Sequence, residues 1–134
     1  MSDGERPRPA PPSGMAPPVT AVLPGGGEAD LLELARAICA RYAAEYPDER
    51  ERYGDAGQAW CVHDNQHLLN WAILDARGEV SLDEQVAWLG RVLAARDFPL
   101  DRLARDLDLG AAGDGAAVAA ALERAAEGVR AGAG

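Results

Sequence analysis

Residues 81–93, SLDEQVAWLGRVL, contain the clearest helix signature in the chain. Ser81 and Glu84 match a capping box, in which each side chain accepts a hydrogen bond from a backbone N–H that the helix leaves unpaired. Apolar residues then recur every three or four positions, at Leu82, Val86, Leu89 and Leu93, with Trp88 and Val92 beside them. This spacing predicts an amphipathic helix that starts after Ser81 and buries one face.

Two further helices are predicted before this segment. The first covers about residues 28–46, with Asp30 as its N-cap or as a favourable negative charge in its first turn. The second covers about residues 58–75, and Gly78 supplies a left-handed stop just beyond it. Residues 48–53 are almost all charged, and we expect them to form a short solvated helix or a turn.

Two shorter helices are predicted after the central segment. Pro99 starts the first of them, which carries Leu100, Leu103 and Leu107. After a glycine-containing break, Asp114 can cap a last, alanine-rich helix with Val118, Leu122, Ala125 and Val129 on one face. We expect no sheet, because no alternating run of β-branched residues lies between turn residues. The sequence therefore predicts an all-α fold, a small bundle of four to five helices.

The N-terminal segment 1–27 differs in composition from the rest of the chain. It is rich in Pro, Gly and small residues, and seven of the nine prolines fall before residue 25. Such a segment cannot bury enough apolar surface to offset the entropy of ordering its chain. We therefore predict a disordered Pro/Gly-rich leader over residues 1–27 and a single helical-bundle domain over residues 28–134.

The charge balance and the cysteine content disfavour several classes of protein. The 22 acidic residues outnumber the 13 basic ones, which gives a net charge of −9 and disfavours binding to nucleic acid or to an anionic membrane surface. No apolar run is long enough to span a bilayer, and no export signal is visible. Cys39 and Cys61 fit a reduced protein, in which they are small core residues, better than a disulfide scaffold. We expect a cytoplasmic protein with no nucleic-acid or membrane partner.

Candidate functional residues are concentrated in residues 60–71, WCVHDNQHLLNW. Both histidines of the chain lie here, and consecutive polar residues interrupt the apolar stripe that a packed helix requires. Departures from the residue pattern that a packed helix requires tend to occur at functional sites. The candidate ligand-binding residues are Trp60, His63, Asp64, His67, Asn70, Trp71 and Trp88. The alternative interpretation is that His67 is a hydrogen-bonded core histidine and that the tryptophans pack the core.

A metal site is a second interpretation of the same stretch. His63 and His67 are four residues apart, so they project from one face of a helix and can share one ion. Asp64 is close enough to be a third ligand or to accept a hydrogen bond from an imidazole N–H. A complete site needs three or four ligands, and the remaining ones would have to come from another helix.

Enzyme motifs are present only in fragments. His63-Asp64-x-x-His67 is similar to the zinc-protease motif His-Glu-x-x-His, but the aspartate is one methylene shorter than the glutamate. Asp64-x-x-His67 matches half of a di-iron carboxylate pair whose second half is missing. No catalytic triad order, phosphate-binding glycine loop or dinucleotide fingerprint is visible. An enzyme is therefore less expected than a binding protein, and the residues identify no cofactor.

About a third of the chain resembles a helical segment of bacterial sensory and regulatory proteins that often stands beside cobalamin-binding domains. The matching residues are Cys61, Asp64, His67 and Leu68, then Val86, Trp88 and Leu89, then Pro99 and Leu103. The chain has no Asp-x-His-x-x-Gly stretch, which would supply a corrinoid ligand. What the resemblance implies is therefore a regulatory helical bundle.

These observations favour a small non-enzymatic module for regulation, acting through a small-molecule ligand or a protein partner. One alternative is a metal-binding protein or minor metalloenzyme that uses His63, Asp64 and His67. Another is a structural subunit of a homo-oligomer, joined through its thin alanine-rich last helix.

Overall fold

The computed structural model describes residues 16–112 and 115–133, which are mostly helical. The elements in these residues are β1 (Thr20–Val22), β2 (Glu28–Asp30), α1 (Leu31–Glu45), α2 (Asp48–Ala76), α3 (Leu82–Ala94), α4 (Leu100–Ala111) and α5 (Ala116–Ala133). The predicted small all-α bundle is confirmed. Residues 1–15 of the predicted leader and the predicted cap Asp114 lie outside the described residues.

Three predicted helix boundaries are confirmed by local geometry. The side chain of Asp30 accepts a hydrogen bond from the backbone N–H of Glu33 at 3.0 Å. Ser81 Oγ accepts one from the backbone N–H of Glu84 at 3.2 Å. Gly78, just after α2, has the left-handed φ of +81°. Because a helix leaves its first N–H groups unpaired, these caps fix where α1 and α3 begin.

A single hydrophobic core joins the helices. Its most deeply buried large side chains come from each of α1 to α5 and are Leu31, Leu69, Ile73, Leu82, Leu107 and Leu122. The predicted α3 stripe of Leu82, Val86, Leu89 and Leu93 is buried in this core. The apolar side of α5 packs mainly against α4, so Val118, Leu122 and Ala125 are covered within the chain itself.

A short antiparallel sheet corrects the expectation that no sheet would form. β1 pairs with β2, so the predicted disordered leader 1–27 is wrong for residues 20–22, which form a strand. Side chains of α2 hold this part of the chain, because Gln66 Nε2 donates to the carbonyl of Pro18 at 3.0 Å and Arg77 donates to that of Val22 at 3.2 Å. Each strand has only three residues, which is too short for an alternating pattern to be detected.

α2 contains a break near its start. Gly54 has φ of +63° and ψ of −154°, a region of backbone conformation that is essentially restricted to glycine. The break separates the charged piece 48–53, which the sequence predicted as a short helix or turn, from the long helix that follows. A Cβ on Gly57 would lie 2.3 Å from Tyr53 Cβ, so glycine is also needed there for the two pieces to pack closely.

We expect Gly54→Ala to destabilise the protein by about 1–3 kcal/mol, because alanine adopts this φ/ψ region only under strain. Nothing lies within 4 Å of a Cβ added at Gly54, so the cost comes from the backbone and not from a clash. Gly128→Ala in α5 is the matched control, since its added Cβ also meets nothing and its φ is not positive. That control should stabilise by about 0.5–1 kcal/mol. Urea denaturation of both variants measures these changes, and equal effects would contradict the assignment of strain.

The helix surfaces carry exposed ion pairs. Arg105 pairs with Glu45 at 2.8 Å, and Arg124 bridges Asp75 and Asp83 at 3.0 Å. Exposed pairs of this kind contribute less than about 1 kcal/mol each, so they contribute little to stability. Across residues 16–112 and 115–133, we find no helix with both the length and the apolar character to cross a membrane.

Candidate functional site

Four aromatic rings form a continuous row along one face of α2, and we call them the ring row. They belong to Trp60, His63, His67 and Trp71, which are spaced by three or four residues and therefore share a helix face. Their centroids are 5.2 Å, 4.8 Å and 5.6 Å apart in that order. The His67 ring is stacked on Trp71, while the other two contacts are edge-to-face.

The ring row faces α3 across an open groove. Trp88, Val92 and Arg96 form the opposite wall, and Leu89 and Leu93 also line the groove. The volume of this space is about 340 Å³, which lies within the usual range for small-molecule sites. Trp88 is 52% exposed, although a side chain of this size is normally buried. We call this space the aromatic groove.

The structure brings together six of the seven residues that the sequence singled out. Trp60, His63, Asp64, His67, Trp71 and Trp88 all line the aromatic groove. Asn70 is not among its lining residues. Arg96 was missed as a site residue because, in the sequence, it is indistinguishable from the many arginines that form exposed ion pairs.

A polar edge of the aromatic groove is formed by His63 and Asp64. His63 Nδ1 lies 3.1 Å from Asp64 Oδ1, and these two side chains are only 12% and 20% exposed. Among the described side chains, His63 Nε2 is a buried atom without a hydrogen-bond partner. Buried polar atoms in proteins nearly always have a partner, so this nitrogen is an exception to the usual pattern.

The predicted metal site is not supported by this arrangement. In the part of the chain that the structure describes, no three His, Cys, Asp or Glu side chains are grouped closely enough to hold an ion. His63 and His67 share a helix face as predicted, but their rings contact each other edge-to-face. The described residues of the other helices do not bring a further ligand to these two histidines.

A second polar cluster, which no sequence pattern indicated, lies deeper in the bundle. Asn65 Nδ2 donates to Asp106 Oδ1 at 3.1 Å and to the carbonyl of Cys61 at 2.9 Å. Asp106 lies on α4 among other charged residues, but it is only 7% exposed. The pKa of Asp106 is raised from 3.8 to about 7, mainly because the carboxyl group is buried. The hydrogen bond from Asn65 lowers this pKa, and the negative charge of Asp64 raises it.

The two cysteines are also placed differently from the prediction. Cys39 on α1 and Cys61 on α2 form a disulfide, with their Cα atoms 6.1 Å apart. The expectation that they are separate core residues of a reduced protein was therefore wrong. Their pairing depends on how α1 packs against α2, and 22 residues of sequence separation give no indication of it.

Tyr42 and Arg102 line the same cavity as Cys61 of the disulfide. The Tyr42 hydroxyl donates to Glu49 at 3.1 Å, and burial together with this carboxylate raises the pKa of the tyrosine above its usual value. Arg102 donates to Glu49 at 2.6 Å and to Asp48 at 3.1 Å, which holds the pKa of Asp48 below its usual value. A cavity of about 60 Å³, which we call the inner cavity, lies among these groups.

The chain matches no protein-family model, no curated protein and no solved structure. The resemblance to a helical segment found beside cobalamin-binding domains therefore stays a prediction. The aromatic groove and the polar cluster of Asn65 and Asp106 are the two features of the structure that bear on function.

Proposed function

We propose that this protein is a non-enzymatic regulatory module that binds a flat small molecule in the aromatic groove. The observation that carries the proposal is the pairing of the ring row with an exposed Trp88 across an open space of about 340 Å³. An exposed tryptophan above a row of rings leaves a large apolar surface in water, and a bound planar molecule would cover it. Aromatic faces favour planar rings, because stacking adds to the gain from apolar burial.

The polar groups around the aromatic groove favour a heteroaromatic ligand with an acidic substituent. Arg96 supplies a guanidinium that pairs well with a carboxylate. His63, which is hydrogen-bonded to Asp64, supplies an imidazole ring beside the bound ring system. Because these groups are few and the remaining walls are mostly apolar, the site has the usual make-up of a small-molecule pocket.

Binding is favoured over catalysis by the chemistry of the lining residues. None of the described residues that line the groove is a Ser, Thr, Cys or Lys that could serve as a nucleophile. Among the described lining residues, His63 and Asp64 form a hydrogen-bonded acid–base pair. The second possible occupant is a protein partner that inserts a side chain beside Trp88, because exposed tryptophans are frequent anchors of interfaces.

We expect Trp88→Ala to weaken binding of planar heteroaromatic carboxylates, such as quinoline-2-carboxylate, by about tenfold or more, which corresponds to 1.4 kcal/mol. The free energy of unfolding should change by less than about 0.5 kcal/mol, because the side chain is half exposed and not part of the core. Titration calorimetry and NMR shift mapping on the full chain measure the binding.

Arg91→Ala is the matched control for this experiment, since Arg91 is exposed on α3 and does not line the aromatic groove. It should leave the affinity unchanged, whereas Arg96→Ala should weaken binding of the carboxylates more than that of uncharged quinoline. Failure of every planar compound to shift the resonances of the groove residues would contradict the small-molecule proposal. Concentration-dependent self-association that Trp88→Ala abolishes would instead favour a protein occupant.

A further inference from the structure

The disulfide between Cys39 and Cys61 has an unusual polar environment for a buried bond. Asn65 Nδ2 lies 3.5 Å from the sulfur of Cys39 and 3.5 Å from that of Cys61. The same nitrogen donates to Asp106 Oδ1 at 3.1 Å. One amide group therefore connects both sulfurs to a buried carboxyl group, although a purely structural disulfide needs no polar partner.

Access to the two sulfurs is unequal. Cys39 is fully buried, whereas Cys61 is partly exposed and lines both the inner cavity and a neighbouring cavity of about 40 Å³. Exposed Arg50 and Gln58 lie on the lining of the smaller cavity, so this space reaches the surface. An incoming thiolate would therefore meet Cys61 before Cys39.

Asp106 lies on the same inner cavity and is poised to hold a proton near neutral pH. Burial is the main cause that raises the pKa of this carboxyl group to about 7. The other titratable or charged groups on this cavity are Tyr42 from α1, Glu49, Tyr53 and Asp64 from α2, and Arg102 from α4, while α3 contributes only Leu89 and Leu93. Arg102 is already paired with Asp48 and Glu49, so the carboxyl group of Asp106 has Asn65 as its hydrogen-bond partner.

We propose that Cys39 and Cys61 form a thiol–disulfide exchange site, in which an external thiol attacks Cys61 and Asp106 donates a proton to the released sulfur of Cys39. The co-reactant is a thiol of low molecular weight or the exposed thiol of another protein. The proposal is independent of the ligand in the aromatic groove.

The exchange is balanced in two steps. The external thiolate bonds to Cys61 Sγ, the bond between the two protein sulfurs breaks, and Cys39 leaves as a thiolate that takes the proton of Asp106. A second external thiolate then attacks the external sulfur of the mixed disulfide, and Cys61 leaves as a thiolate that is protonated from solvent. The protein disulfide gains two electrons and two protons, two external thiols are oxidised to one disulfide, and Asp106 regains its proton from water.

The site of attack is tested by trapping the mixed disulfide with glutathione. Cys39→Ser, incubated with oxidised glutathione and analysed by mass spectrometry, should form the glutathione adduct on Cys61 at least tenfold faster than Cys61→Ser forms it on Cys39. Equal rates, or faster reaction at Cys39, would overturn the proposal. The proposal would also be overturned if dithiothreitol reduced the oxidised wild-type protein only at the rate of global unfolding.

The role of Asp106 is tested by the pH dependence of reduction. General acids commonly contribute 100-fold or more, but a thiolate is a better leaving group than most, so we expect Asp106→Asn to slow reduction by dithiothreitol about tenfold at pH 6. The ratio of wild-type to variant rates should fall to one or below at pH 9, where Asp106 has lost its proton. Asp108→Asn, which removes a partly exposed carboxylate on the same helix, should give a ratio near one throughout. A ratio for Asp106→Asn that does not change with pH would show a structural effect only and would overturn its role.

Discussion

Replacing Asp106 by asparagine should stabilise the folded protein by about 4 kcal/mol at pH 8. The carboxyl group is buried, and this burial raises its pKa from 3.8 in the unfolded chain to about 7 in the folded protein. Above pH 7 the folded protein must therefore hold a buried negative charge that the unfolded chain exposes to water. Asparagine has nearly the same shape and can keep a hydrogen bond with Asn65, but it carries no charge.

The direction of this change in stability follows from the pH at which each state loses the proton of Asp106. Below pH 4 the carboxyl group is protonated in both states, so its contribution to stability is fully present. Between about pH 4 and pH 7 the unfolded chain loses the proton first, so the free energy of unfolding falls as the pH rises, and it levels off above the folded pKa. Asp106→Asn should remove this slope.

Urea denaturation at pH 5 and pH 8 measures both effects. Asp108→Asn is the control, because Asp108 pairs with Arg130 at the surface and its loss should cost less than about 1 kcal/mol. An Asp106→Asn variant that is no more stable than the wild type at pH 8 would contradict the predicted cost of the buried charge.

Reduction of the disulfide should lower the free energy of unfolding by about 3 kcal/mol. The bond joins residues that are 22 positions apart, so it limits the conformations available to the unfolded chain. Reduction restores that entropy to the unfolded state, while the packing of α1 on α2 keeps the helices together. The midpoint of urea denaturation should therefore be lower in dithiothreitol than in its absence.

A variant with both cysteines replaced by alanine is the control, because its midpoint should not respond to dithiothreitol. The comparison must use the same pH, since the charge of Asp106 also changes stability. Identical midpoints for oxidised and reduced wild-type protein would show that this bond does not restrict the unfolded chain.

Much of the fold could be predicted because local signals agreed with the packing. Ser81 caps α3, and the stripe from Leu82 to Leu93 faces the core. Asp30 and Gly78 marked two further helix ends correctly. These signals act over three or four residues, which is the range at which sequence patterns are informative.

The features that escaped prediction depend on contacts between distant segments. Asp106 stands among residues of α4 that alternate between apolar and charged, and nothing nearby indicates that Asn65 lies opposite. The disulfide requires α1 to pack against α2, and β1 is held by side chains of α2. Such contacts exist only once the helices have packed.

The candidate site also combines residues that are neighbours on one helix with residues that meet only when two helices pack. The ring row could be predicted because its residues repeat with helical spacing on one helix. Arg96 and the depth of the aromatic groove depend on how α3 is oriented against α2, so sequence alone did not identify them. Asn70, which shares the stretch with the ring row, does not line the groove.

All three tryptophans of the chain line the aromatic groove, and this gives the protein a built-in optical reporter. Its entire indole emission originates from the surface where we propose that the ligand binds. Occupancy can therefore be followed by quenching or by a spectral shift of the intrinsic fluorescence, without any label.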